Sequence, residues 1–207
     1  MKIRIDFKIL IFLFLFYLTN QIEIYITVMF FSIIHELGHI VMGLILKMKP
    51  ERIEIMPCGL SVSFKINAND ISYKIKNGSV LEIKKILVAL SGPIVSLCLA
   101  ILYTYKQPSI ANQNVIYSNI LIMLFNLIPI YPLDGGRIIK GMLHIQFGST
   151  KSMKLTNEIS NIIMIILTVG SSIAVYYFKN ISIFLICIFL WGLTLRENKK
   201  LKIEESS

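Results

Sequence analysis

The sequence predicts an all-α polytopic membrane protein of about six transmembrane helices, with a small β-hairpin or sheet insertion between the second and third. Three observations predict it. Hydrophobic residues make up 55% of the 207-residue chain and charged ones only 16%, with a mean hydropathy of +0.71, which is far from the balance of a soluble domain. Several apolar windows approach the roughly 20 residues that carry a helix across about 30 Å of hydrocarbon. The longest polar stretch, residues 47–85, alternates apolar and polar positions with the two-residue period of a strand.

In chain order, spans are expected near residues 7–19, 24–46, 86–105, 115–130, 158–178 and 181–195. The first follows Lys2, Arg4 and Lys8, and no small-residue cleavage site follows it in TNQIEIY, so it reads as a retained helix rather than a signal peptide. In the insertion, Ile53 and Ile55, then Leu60, Val62, Phe64 and Ile66, then Ile71, Tyr73 and Ile75 mark strands, broken by Pro57, Gly59 and the stretch from Asn67 to Asp70. Such a piece is either a structural hairpin or a sheet edge at the membrane surface that accepts an extended peptide. Residues 196–207 form a short solvated tail, and with no repeat or second soluble domain the chain reads as one membrane-embedded domain over 1–207.

The net charge of +9 points away from nucleic acid because the charges lie in bands between the apolar runs. Of the 21 lysines and arginines, all but Lys106 and Lys179 fall on one side of the expected bundle, which makes that side, and both termini, cytoplasmic. Cys58, Cys98 and Cys187 are scattered and form no Cys-x-x-Cys pair, so they read as inert small residues.

One span carries polar groups that lipid does not welcome. FFSIIHELGHIVMGLILK, residues 30–47, contains His35, Glu36 and His39 in the pattern His-Glu-x-x-His. On a helix the two histidines share a face and can grip one ion, usually zinc, while the glutamate reaches a water on it. An ionisable group near the bilayer centre costs at least about 2.5–3.5 kcal/mol and normally marks function. A third ligand must come from the few acidic residues in apolar surroundings, Glu36 itself or Asp134. Asp134 lies in FNLIPIYPLDGGR, where Pro129, Pro132, Gly135 and Gly136 should break the helix and turn the aspartate inward. The second and fourth spans both run outward to inward, so the histidines and Asp134 reach the same side at similar depth. His144 reads as an interfacial histidine rather than a ligand.

HELGH together with NLIPIYPLDGG resembles the site-2 protease family of intramembrane zinc metalloproteases, and within it the six-span subgroup typified by stage IV sporulation protein FB. The resemblance extends over residues 24–195, with core motif helices at 24–46, 86–105 and 115–136. It implies one zinc ion held by His35, His39 and Asp134, with Glu36 as the catalytic glutamate. It also implies substrate-handling or oxyanion roles for Asn126, for Gly59 in PCGLS, and for Gly92 and Pro93 in ALSGPIVS, where Ser91 replaces the family's alanine. The partners it implies are a membrane-associated protein substrate, such as a sigma-factor precursor in sporulation or a signalling anti-sigma factor, and a membrane inhibitor or regulator. The subgroup commonly carries a nucleotide-sensing CBS domain after the last span, and this chain ends about a dozen residues beyond it, so the resemblance does not by itself carry over nucleotide control or the sporulation role. A membrane metal-ion transporter built on the same histidines is the alternative, and it predicts further polar ligands lining a path to the opposite face, where the outer halves of the second and fourth spans offer only residues such as Thr27, Ser118 and Asn119. A silent scaffold does not account for both motifs together.

Overall fold

An apolar run with polar residues confined to one stripe makes a helix that shows lipid most of its surface. In α1, Ile22–Ile45, the buried positions Tyr25, Ser32, His35, His39 and Gly43 recur at helical spacing, while Ile26, Phe30, Leu37, Val41 and Leu44 point outward. The structure, a computed structural model, describes residues 2–5, 17, 22–56, 59–65, 76–105, 109–178, 187–188 and 190–195. These fall into two compact units, Met1–Asn126 and Leu127–Ser207.

In the first unit α1 packs on α2, Lys76–Thr104. Gly38, inside HELGH, is the point of close approach. A Cβ there would lie 2.8 Å from Val95 Cγ2 and 3.2 Å from Ser91 O, so a small residue is needed for the backbones to come this near. Farther along, Phe31 meets Tyr103 edge to face at 6.2 Å. α3, Ile110–Leu127, completes the helices that begin in this unit.

A three-stranded sheet accompanies them, in the order β1 (Lys2–Ile5), β2 (Lys49–Met56), β3 (Gly59–Lys65). β2 and β3 are antiparallel, with Ile53 opposite Val62 and Ile55 opposite Leu60, and the register slips between Pro50 and Arg52. β1 runs parallel to β2, Ile3 opposite Ile53. Among the described residues β2 is therefore central and β3 lies on an edge. Residues 66–75, where a further strand was expected, are outside the described residues.

The second unit holds α4, Asp134–Phe147, and α5, Ser149–Phe178, joined at Gly148, whose φ of 81° suits a residue without a side chain. The short helical stretch 190–195 is tied to α5 by Trp191 Nε1, which donates to Thr168 Oγ1 at 3.0 Å.

Several expectations change. Among the described residues three helices, Ile22–Ile45, Ser79–Thr104 and Ser149–Tyr177, are long and apolar enough to cross a membrane, not six. All but residue 17 of the expected span at 7–19, and residues 181–186 and 189 of the one at 181–195, lie outside the described residues. α2 starts ten residues before the expected 86, because the lysine-rich turn from Lys76 to Lys85 is helical, with Lys85 Nζ donating to the buried Glu82 carboxylate at 2.6 Å. α5 likewise takes in the polar stretch from Ser149. The helix expected over 115–136 ends at Leu127, and Asp134 begins a new helix instead of closing an old one. Cys98 and Cys187 are free thiols, and Cys58 lies outside the described residues.

Candidate metal centre

His35 and His39 are separated by one helical turn, and both are buried, with 1% and 2% of their surface exposed. Both rings are held at Nδ1 by α2. His39 Nδ1 lies 2.6 Å from the carbonyl oxygen of Val88, which can only accept, so His39 carries its proton at Nδ1 and leaves the Nε2 lone pair for a ligand. Ser91 Oγ donates to the same carbonyl at 2.6 Å and sits 3.4 Å from His39 Nδ1. His35 Nδ1 lies 3.0 Å from Ser96 Oγ, a fully buried hydroxyl.

With both Nδ1 atoms engaged, the Nε2 atoms converge on Gly92. A Cβ built on Gly92 would collide with His39 Nε2 and sit 2.6 Å from His35 Nε2. The missing side chain thus leaves open the space on which both Nε2 atoms bear. Pro93 continues α2 without ending it. Glu36 is half-buried on the next position of α1.

In the second unit, Asp134 occupies the first turn of α4, 5% exposed, where a carboxylate suits the helix dipole. Leu133, before it, is extended and offers no side-chain cap. Gly135 and Gly136 allow the preceding turn to fold back on this helix start. A Cβ on Gly135 would strike Leu127 O and lie 2.6 Å from Ile128 O, and one on Gly136 would strike the Ile130–Tyr131 peptide. Arg137 Nη1 is 3.9 Å from Asp134 Oδ1.

His35, His39 and Asp134 each offer a ligand atom, and these atoms lie within 4.8 Å of one another, all three residues being buried. Two neutral imidazoles and a carboxylate are the donor set of a catalytic zinc site that keeps a position open. The residues present therefore fit the ion that the sequence implied. His144 falls in the last turn of α4 and is not in this group. Asn126 Nδ2 donates to Ile122 O at 3.0 Å, within α3, and Gly59 is the first residue of β3. Sequence reasoning missed Val88, Ser91 and Ser96. A backbone carbonyl has no signature, but Ser96, one helical turn beyond Gly92 in an apolar run, was a readable hint.

The model of peptidase family M50 matches residues 111–170. A zinc metalloprotease of Methanocaldococcus jannaschii is 26% identical over 181 residues, 83% of this chain and 48% of that protein. Stage IV sporulation protein FB of Bacillus subtilis is 23% identical over 148 residues, 69% of this chain and 48% of that protein. The chain thus spans about half the length of the curated relatives it matches. The solved site-2 protease from Methanocaldococcus jannaschii shares the fold, with a TM-score of 0.68 over 94% of this chain and 89% of that one, at 23% identity.

Proposed function

We infer that this chain belongs to peptidase family M50 and acts as an intramembrane zinc endopeptidase, cleaving a peptide bond in or near the membrane segment of a membrane-associated protein. The observation that carries this reading is the convergence of two Nδ1-anchored imidazoles over Gly92 in the donor group that includes Asp134.

His35, His39 and Asp134 would hold the ion. When bound, zinc supplies a Lewis acid for the scissile carbonyl and lowers the pKa of water towards neutrality. The remaining chemistry belongs to the chain. The Glu36 carboxylate takes the proton of the attacking water and delivers it to the nitrogen of the leaving amine. Val88 and Ser96 keep the imidazoles oriented, and the buried setting limits competing water. A helical substrate must unwind before its carbonyl can be attacked. The edge strand β3 suits the extended form by backbone pairing, with Gly59 at its start, while Gly92, Pro93 and Asn126 lie on the helices that would flank the peptide.

Both termini and the site face the cytoplasm in this reading, which the banding of lysine and arginine supports. A sigma-factor precursor as substrate, a role in sporulation, and restraint by a membrane regulator rest on the similarity to the Bacillus subtilis sporulation protein.

The test is Glu36→Gln with a co-expressed membrane-tethered precursor. Cleavage should be abolished while one zinc per chain stays bound. Full cleavage by that variant removes Glu36 from the mechanism.

A further inference from the structure

The turn that delivers Asp134 has few backbone donors, and from Pro129 to Leu133 each has an identified acceptor. Between α3 and α4 the chain runs Ile128, Pro129, Ile130, Tyr131, Pro132, Leu133, and the two prolines have no N–H to place. Ile130 N donates to Ile128 O at 2.7 Å, and Leu133 N donates to Ile130 O at 2.8 Å, both within the turn. Tyr131 N is the donor from Pro129 to Leu133 whose bond leaves it. It donates to Ser160 Oγ on α5, 29 residues away, at 3.0 Å.

Ser160 is built for this. Its side chain is 1% exposed, and its hydroxyl proton is committed to Thr156 O at 2.7 Å, which turns an oxygen lone pair towards the turn. The peptide that Ser160 holds is also the one against which Gly136 is pressed. The Ile130–Tyr131 peptide is therefore fixed by α5 and abutted by the first turn of α4, where Asp134 sits two residues before Gly136.

We propose that Ser160 is a positioning residue for the metal ligand Asp134, acting through the Tyr131 amide; this rests on the zinc reading above. Removing the hydroxyl leaves a half-buried N–H without its acceptor, whereas Thr156 O keeps its place in the helix. The cost thus falls on the turn rather than on α5. Ser152 is a matched comparison on the same helix. It is equally buried, but its hydroxyl donates to Ser149 O at 2.8 Å inside α5.

The experiment measures zinc dissociation constants by chelator competition on the purified full chain in detergent, with thermal midpoints taken in parallel. Wild type, Ser160→Ala and Ser152→Ala are compared. Ser160→Ala is expected to weaken zinc binding by about tenfold, the scale of outer-shell effects on metal sites, while Ser152→Ala binds as wild type does. If Ser160→Ala keeps wild-type affinity, or Ser152→Ala weakens it equally, the inference is overturned while the metal reading stands. A wild-type chain that takes up no zinc overturns the metal reading and this inference with it.

Discussion

Two imidazoles serve one ion only when each presents the same kind of nitrogen in the same direction, and a histidine ring left to itself has two tautomers and free rotation. The acceptors that settle the matter here differ in strength of command. Val88 O dictates the tautomer of His39 outright, whereas Ser96 Oγ is able to donate or accept and steers His35 through orientation. Ser96→Ala should therefore weaken zinc binding by about tenfold and leave the fold intact, checked by chelator competition and circular dichroism. Unchanged affinity would reduce Ser96 to packing. Gly92 is a stricter requirement, since even a methyl group competes with both Nε2 atoms.

The elements explain which parts of this arrangement could be read beforehand. His35, Glu36 and His39 belong to one helix, and their relation follows from its pitch alone. The break around Asp134 was announced by two prolines and two glycines within eight residues, 129–136. The new helix beyond the break was not announced, because the start of α4 depends on a turn closing against Gly135 and Gly136 and not on local propensity. β1 escaped notice for a similar reason. Its partner, Arg52 to Ile55, is remote in sequence, and Lys2 to Ile5 looks like an ordinary basic flank of a span. Ser160 was invisible as well, since a serine in an apolar span reads as filler until its hydrogen-bond partner is known. At this scale the prediction concerns the glycine pair. Gly136→Ala should destabilise the protein by about 1–3 kcal/mol and lower zinc occupancy together, measured by thermal unfolding and metal analysis. A stable Gly136→Ala chain with full occupancy contradicts the close approach.

For the molecule as a whole, the three helices among the described residues that are long and apolar enough to span lipid mark an integral membrane protein, and the orientation proposed for it rests on the banding of lysine and arginine. Reporter fusions at residue 1 and residue 207 should both give cytoplasmic signals, and a reporter placed near Lys106 the opposite one. Exchange of these results would turn the site to the outer face and exclude cytoplasmic substrates.

The parallel pairing of β1 with β2 also bears on how the protein is made. β1 leaves the ribosome well before its neighbour, since the strand it lies beside begins only at Lys49, after the whole of α1 has been synthesised. The β2–β3 hairpin closes over the two residues between Met56 and Gly59, whereas β1 must bridge more than forty and meet a correspondingly larger closure entropy. The hairpin is thus the template, and β1 docks on it last. Until it does, the flank of β2 is an open seam, and the quality of the nascent sheet depends on how soon β1 returns to seal it.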